Sequence, residues 1–209
     1  MGALITAKSS TGDVTVRITE LEAYAGADDP ASHAFRGRSE RNAAMFGEPG
    51  RLYVYRHLGL HHCLNLVCEP TGTAAAVLLR AGEVIDGLEL ARARRLANGS
   101  LAGDIDLARG PARLAVALGL ALDVNGADVT EAGSRVVVHR REPLTVPGYA
   151  CGPRVGVGGV GSDPQRFPWR WWIPGDPTVS AYRPSARTVR RGPKGDAPPA
   201  SDRADWSRA

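Results

Sequence analysis

Cysteine and long apolar runs are scarce in this 209-residue chain. The three cysteines are odd in number and include no C-x-x-C pair, so neither a disulfide framework nor a zinc ribbon is indicated (Cys63, Cys68 and Cys151). No stretch approaches the roughly 18 apolar residues of a membrane helix, and no charged segment followed by an apolar run opens the chain. We therefore expect a reduced cytoplasmic protein with no membrane association.

Positive charge is in slight excess, but it is concentrated at the end of the chain. The formal net charge is +4, and residues 183–209 alone hold seven Lys and Arg against three Asp. The charges of residues 1–182 therefore balance, and the high isoelectric point says little about the folded part. Because the end is also rich in Pro and Gly, we predict one domain over residues 1–182 and a basic, disordered tail over residues 183–209.

Two local features are denser than the composition suggests. Between Ala34 and His62, only two glutamates oppose five arginines: Arg36, Arg38, Arg41, Arg51 and Arg56. This is either an ordinary solvated surface or a surface for a polyanion. Aromatic and imidazole rings gather nearby, and such rings can stack on a base: Tyr24, His33, Tyr53, Tyr55, His57, His61 and His62. Adjacent His61 and His62 would point to opposite faces of a strand, so we expect no metal there.

The hydrophobic pattern predicts a mixed α/β protein. Strands are expected at residues 4–8, 14–19, 52–55, 61–67, 74–79, Val136–His139, 154–158 and 169–173. Helices are expected at residues 84–97 and 110–120, with a short helix that begins at Asp29-Pro30 and carries His33.

Two glutamates follow the second predicted strand. A period of two from Val14, Val16 and Ile18 would place Glu20 and Glu22 on the same apolar face. Their Cα atoms would then lie about 6.5–7 Å apart, near the carboxyl separation of inverting glycoside hydrolases. Alternatively, the strand ends earlier and both side chains are solvated.

Two polar residues interrupt apolar runs. Arg80 ends one such run and Asn65 lies inside another. Taken singly, each is more often a buried polar residue that the backbone satisfies than a functional residue.

Several blocks occur in a fixed order: ITELEAY (residues 18–24), DPASH (29–33), RN with MF (41–46), PGRLYVY (49–55), CLN after Gly59 (63–65) and VLLRA (77–81). GP (110–111) and RVGVG (154–158) continue the series. In this order they resemble the alkyladenine (3-methyladenine) DNA glycosylase family, of the methylpurine DNA glycosylase type. The resemblance implies a single α+β domain, with a curved, mostly antiparallel sheet and peripheral helices, similar to the formyltransferase C-terminal-domain-like fold. Relatives carry a segment upstream of the first strand, which we expect to be missing here.

The resemblance also implies roles for individual residues. Glu22 would be the general base that activates a water, with Arg80 and the backbone carbonyl of Val155 holding that water. The base-binding positions would be Tyr24, His33, Tyr55 and Asn65. Leu58 would be the wedge that fills the space of the flipped base, or His57 if the loop is shifted by one residue. The DNA backbone would be contacted by Arg36, Arg38, Arg41 and Arg51.

The implied activity is monofunctional hydrolysis of the N-glycosidic bond of alkylated or deaminated purines flipped out of double-stranded DNA. No metal or organic cofactor is expected, and neither is a lyase step, because Lys8 and Lys194 are both remote from the expected site. We expect a bacterial monomer that associates with the nucleoid through DNA. The alternatives are a hydrolase of free nucleosides or sugars that uses Glu20 with Glu22, and a non-catalytic damaged-DNA-binding protein.

Overall fold

The computed structural model describes residues 1–139 and 148–185. Within them, two α-helices pack on a large antiparallel sheet that curls into a half-barrel. The strands are β1 (Leu4–Ala7), β2 (Val14–Tyr24), β3 (Leu52–His57), β4 (His61–Val67), β5 (Ala76–Asp86), β6 (Ala108–Arg109), β7 (Val136–His139), β8 (Ala150–Gly152) and β9 (Arg170–Trp172). The helices are α1 (Leu88–Ala97) and α2 (Pro111–Leu118).

The long strands β2 and β5 form the centre of the sheet, in the order β3-β4-β5-β2-β1-β7. One edge of β2 pairs with β5. Its first half also pairs with β1, and its second half pairs with β9, from Glu20 to Glu22. The edge of β5 that does not pair with β2 pairs first with β4 and then, further along the strand, with β6. Strand β2 is therefore held on both sides where it carries the two glutamates.

The two faces of the sheet differ in chemistry. One face packs on α1 and α2 and forms the main apolar core, with contributions that include Leu52, Val54, Leu64, Leu79 and Leu114. The alternate residues of β3, β4 and β5 lie on the other face, because successive side chains of a strand point in opposite directions. That second face, which we term the site face, carries Tyr53, Tyr55, Cys63, Asn65 and Arg80.

A β-bulge changes the face that the glutamates occupy. The register of β2 against β5 shifts on both sides of Glu20, and the extra residue reverses the alternation. Ile18 and Leu21 consequently both belong to the apolar core, while Glu20 and Glu22 lie together on the site face, where both contact Arg80. The expectation that they share a face with Val14, Val16 and Ile18 was wrong. A strict period of two cannot anticipate an inserted residue.

Three predicted elements also differ. Residues 84–86 extend β5 rather than beginning the helix. Residues 154–158 are not a strand but a loop that leads into a 3-10 helix, Gly159–Ser162. Residues 30–36 form turns instead of a helix. Asp29 does accept the amide of Ala31, as an N-cap would, but its carboxylate also pairs with Arg154.

The predicted tail lies almost entirely outside the described residues, which end at residue 185. At its start, the carbonyl of Arg183 accepts a hydrogen bond from the amide of Gly156. Within residues 1–139 and 148–185, neither helix is long and apolar enough to cross a membrane.

Candidate active site

A pocket opens on the site face between β2, β3, β4 and the turns after β2. It is lined by Tyr24, Ala31, His33, Met45, Tyr53, Tyr55 and Asn65. The structure thus brings together all four predicted base-binding residues, which come from four separate segments of the chain. Ala31, Met45 and Tyr53 had not been assigned to the pocket from the sequence. Tyr53 had a signal, since it shares the face of Tyr55 two residues later.

The rings of the pocket hold one another in place. His33 meets Tyr55 edge to face, with 4.5 Å between ring centroids and 81° between planes. Tyr53 stacks beside Tyr55 at 5.7 Å, and its hydroxyl lies 2.9 Å from Nδ1 of His33. These contacts leave a slot whose walls are flat rings, which suits a planar heterocycle.

The pocket groups are neutral near pH 7. Burial, the nearby Arg41 and His57 lower the pKa of His33 below its ordinary value. Burial raises the pKa of Tyr53 to about 12 and that of Tyr55 further. Neutral rings leave any positive charge on a bound base free to interact with the π-faces.

Asn65 lies at the floor of the pocket and is buried. Its Nδ2 donates a 2.9 Å hydrogen bond to the backbone carbonyl of Tyr53 on the paired strand. This bond orients the amide, so Asn65 offers a fixed polar group to the edge of whatever enters.

Glu22 lies beside the pocket, with no exposed surface. Its Oε1 accepts the backbone amide of Val155 at 2.7 Å. Its Oε2 accepts the hydroxyl of Tyr24 at 2.9 Å and lies 3.3 Å from Nη1 of Arg80. Three groups from three segments therefore orient one carboxylate, which is what a positioned general base requires.

Glu20 is equally buried, but its carboxylate binds a different set of partners. Its Oε1 accepts Nε of Arg80 at 2.9 Å, Nε of Arg170 at 2.6 Å and the hydroxyl of Ser180 at 3.0 Å, and its Oε2 accepts the amide of Ser180 at 2.7 Å. Burial opposes ionisation, but Arg80, Ser180 and Arg170 together lower the pKa of Glu20. A carboxylate that already accepts four hydrogen bonds from Arg80, Arg170 and Ser180 does not fit the two-carboxylate hydrolase considered above.

The charge on Arg80 is shared between the two glutamates. Burial works against the guanidinium, yet Glu22 and Glu20 raise its pKa. Arg80 also donates through Nη2 to the hydroxyl of Ser180 at 3.3 Å. The side chain is therefore held at both ends, with one edge beside Glu22.

A second buried ion pair lies behind the pocket. Arg154 is 1% exposed and forms a two-pronged pair with Asp29 at 2.6 and 2.7 Å. Its guanidinium also lies over the Tyr24 ring, 4.6 Å from the centroid. Sequence reasoning made Asp29 the start of a short helix and placed Arg154 in a strand, but it did not pair them, because partners 125 positions apart leave no local pattern.

The predicted DNA-facing residues lie on the surface. Leu58, in the β3–β4 turn, is 81% exposed and has φ +48°. Next to it, His57 is also exposed. Arg36, Arg38 and Arg41 are exposed as well, in the segment that carries His33. Arg51 is partly buried and pairs with Glu48 at 2.8 Å and Asp128 at 3.7 Å.

Within residues 1–139 and 148–185, no group of three or more His, Cys, Asp or Glu residues is placed to hold a metal ion. The site chemistry derived below uses the side chains and backbone described above.

Comparison with known sequences identifies the family. The profile of the methylpurine-DNA glycosylase (MPG) family matches residues 1–177. A relative from Leifsonia xyli subsp. xyli is 51% identical over 185 residues, covering 88% of this chain and 84% of the relative. Relatives from Streptomyces avermitilis and Mycolicibacterium paratuberculosis are 48% identical over 192 residues (91% and 86% covered) and 45% identical over 207 residues (97% and 91% covered). Each is named "Putative 3-methyladenine DNA glycosylase".

These similarities define the class as a DNA glycosylase, which acts in the repair of damaged DNA. The chain belongs to the methylpurine-DNA glycosylase family.

Proposed function

We propose that this protein hydrolyses the N-glycosidic bond of alkylated or deaminated purines, of the 3-methyladenine, 7-methylguanine and hypoxanthine class, as a first step of base excision repair. The observation that carries the proposal is the placement of Glu22. A fully buried carboxylate, oriented by Val155, Tyr24 and Arg80, lies at the edge of a slot walled by rings.

The chemistry assigned to Glu22 is general base catalysis. Glu22 accepts a proton from a water as the water oxygen bonds to C1′ of the nucleotide. The bond between C1′ and the purine nitrogen breaks, and its electron pair leaves with the base. An oxocarbenium-like sugar is stabilised by the nearby negative charge. Arg80 and the carbonyl of Val155 are proposed to hold the water.

Recognition of the base follows from the rings. In a duplex the glycosidic bond is hidden, so the nucleotide must be extruded, and a lesion that pairs poorly costs less to flip. Tyr24, His33 and Tyr55 enclose the flipped base, and their π-faces favour a purine that alkylation has made cationic. Asn65, fixed by Tyr53, is proposed to crowd the exocyclic amine of ordinary guanine.

The partner is double-stranded DNA that contains a damaged purine. The exposed Leu58 is proposed to enter the space of the flipped nucleotide, since an apolar wedge stabilises an unstacked step. His57 stays the alternative. Phosphates are contacted by Arg36, Arg38, Arg41 and Arg51, of which Arg51 must share its charge with Glu48 and Asp128.

The proposal also covers the domain organisation of the protein, its oligomeric state and the steps that it does not catalyse. The glycosylase domain spans residues 1–182 in a formyltransferase C-terminal-domain-like fold, and residues 183–209 form a basic tail. The enzyme acts as a monomer at the nucleoid, without a cofactor. It has no lyase step, since no lysine is among the described residues that line the pocket.

The test is release of free base from methylated and from hypoxanthine-containing duplex DNA. We expect the wild-type protein to release base, and Glu22→Gln to abolish release because the amide cannot accept the water's proton. Glu89→Gln is the matched control, because Glu89 lies exposed on α1 and pairs only with Arg92 among the described residues.

Separate treatment with alkali reveals abasic sites. Strand breaks that appear without alkali would refute the monofunctional assignment. Tight binding of lesion DNA with no base released by the wild-type protein would instead favour the non-catalytic damaged-DNA-binding alternative.

A further inference from the structure

None of the roles assigned so far involves the buried pair of Arg154 and Asp29. The guanidinium of Arg154 has no exposed surface, and neither has the carboxylate of Asp29. A buried pair stabilises a protein little compared with apolar side chains of the same volume. The pair lies behind Tyr24, which lines the pocket, and this position indicates a role in the site rather than in stability.

The pair connects three segments that build the site. Nη1 of Arg154 donates to the carbonyl of Ala23, next to Tyr24, at 2.9 Å. Nη2 donates to the carbonyl of Gly161 at 3.0 Å. Asp29 in turn accepts the amide of Ala31, which lines the pocket, at 3.0 Å.

The residue that follows Arg154 is the one that reaches Glu22. The amide of Val155 donates to Oε1 of Glu22 at 2.7 Å, and the guanidinium of Arg154 covers one face of Tyr24, whose hydroxyl binds Oε2. Two of the three groups that orient Glu22 are thus attached to Arg154, one by a peptide bond and one by stacking. Because the pair is neutral as a whole, it orients the carboxylate without adding net charge beside it.

The loop is packed too closely to shift without consequence. A Cβ at Gly161 would lie 2.8 Å from the Cβ of Ala31 and 2.9 Å from its nitrogen. The 154–161 loop and the Asp29 turn are therefore locked together by close contact as well as by charge.

We propose that the Arg154–Asp29 pair is a positioning device for Glu22: it holds the Val155 amide and the Tyr24 ring against the carboxylate and so sets the electrostatic complementarity of the site to a cationic sugar. The inference rests on the proposed function, because it assumes that Glu22 faces C1′. Arg154 and Asp29 do not touch the reacting atoms and are positioning residues.

The test compares two duplexes that lack a base at one position. One carries a pyrrolidine ring, which is cationic where the sugar becomes cationic in the transition state, and the other carries a neutral tetrahydrofuran ring. A carboxylate positioned for that charge binds the cationic ring more tightly. Neither analogue fills the base pocket, so the ratio of the two dissociation constants reports on Glu22.

The variants are Asp29→Asn, Arg154→Lys and the double variant Asp29→Leu with Arg154→Met. The double variant removes both charges, which keeps a buried charge from being left alone. Arg95→Met is the control, since Arg95 is also a buried arginine but lies on α1, on the other face of the sheet.

We expect each variant of the pair to lose about tenfold or more of the preference for the pyrrolidine duplex, because small displacements of oriented groups are costly. Binding of the tetrahydrofuran duplex should change by no more than about twofold, because its neutral ring carries no charge that Glu22 stabilises. Arg95→Met should keep the wild-type ratio.

The inference is overturned if both affinities fall by the same factor, if a folded variant keeps the preference, or if none of the three variants folds by circular dichroism, since the pair then serves stability alone. A wild-type protein without any preference also overturns it. The proposed function is judged separately, by base release from the wild-type protein, so the two failures are distinguishable.

Discussion

The hydroxyl of Tyr24 donates a 2.9 Å hydrogen bond to Oε2 of Glu22, two residues earlier on the same strand. Burial and the charge of Glu22 raise the pKa of Tyr24 well above its ordinary value, so the hydroxyl remains a donor at every pH at which the protein is used. A single ring thus forms a wall of the pocket and orients the carboxylate at its edge.

Removing only this hydroxyl separates the two roles. We expect Tyr24→Phe to keep affinity for lesion DNA, because the ring remains, and to slow base release by about tenfold or more, because Glu22 loses one of its orienting bonds. Single-turnover rates and dissociation constants measured side by side check this. Weaker binding with an unchanged rate would show that the hydroxyl serves the pocket instead.

Glu20→Gln should affect stability more than chemistry. The substitution removes the negative charge that Arg80 and Arg170 share, and breaking a buried pair costs about 3–5 kcal/mol. The folded state lowers the pKa of Glu20 below 4.5, so its contribution is present above that pH and is lost as the pH falls through the lower, folded-state value. Urea unfolding at pH 7 and at acidic pH tests both points. A variant as stable as wild type at pH 7 would contradict the network described here.

The titration of His33 depends on its neighbours. Burial, Arg41 and His57 lower its pKa in the folded protein below 6.5. Between this folded-state pKa and 6.5, the unfolded chain binds a proton that the folded chain does not. The stability of the folded state therefore falls as the pH drops through this window. We expect Arg41→Gln to move the pKa of His33 back toward 6.5, as measured by NMR. An unmoved pKa would mean that burial and His57 set the pKa of His33 without Arg41.

Salt dependence separates the arginines that meet phosphates from those that do not. Each phosphate contact contributes about one unit to the slope of log K against log salt concentration. Substitution of Arg36, Arg38 or Arg41 by Gln should reduce the slope by about one unit for each true contact. Arg51→Gln should reduce it less, because Arg51 is already paired with Glu48 and Asp128. A full unit lost with Arg51→Gln would contradict this expectation, because Arg51 would then contact a phosphate in spite of Glu48 and Asp128.

The proposed wedge, Leu58, can be replaced without disturbing its turn. Leu58 adopts φ +48°, a conformation that costs an ordinary L-residue about 1–2 kcal/mol but that asparagine tolerates better. Leu58→Asn should therefore raise the melting temperature slightly and weaken flipping of the damaged nucleotide. The fluorescence of a 2-aminopurine placed beside the lesion measures flipping. If His57→Ala abolishes flipping and Leu58→Asn does not, then His57 is the wedge.

Much of this site was predictable because its residues lie on strands with a regular period. Tyr53 and Tyr55 on β3, and Asn65 on β4, follow from alternation alone once the strands are assigned. Their roles did not follow from alternation, since a buried asparagine by itself is most often a satisfied core residue. The order of the blocks supplied the family, which the similarity over residues 1–177 confirms.

The bulge in β2 shows where local pattern fails. Glu20 and Glu22 lie two residues apart on one strand and are equally buried. Glu20 is bound by Arg80, Arg170 and Ser180, whereas Glu22 is bound by Val155 and by Tyr24, which lines the pocket. The distinction depends on partners 60 to 160 positions away, so no window of the sequence contains it.

The sequence by itself determined the mixture of strands and helices, the candidate residues of the pocket and, through the order of its motifs, the family. Short-range periodicity and residue type are enough for the strands and helices, whereas the pocket residues and the family came from the order of the motifs. Only the tertiary structure decided which face each glutamate occupies and that Arg154 and Asp29 meet behind Tyr24. The physical reason is that buried charges require partners, and those partners become neighbours only when the sheet curls and the loops close on it.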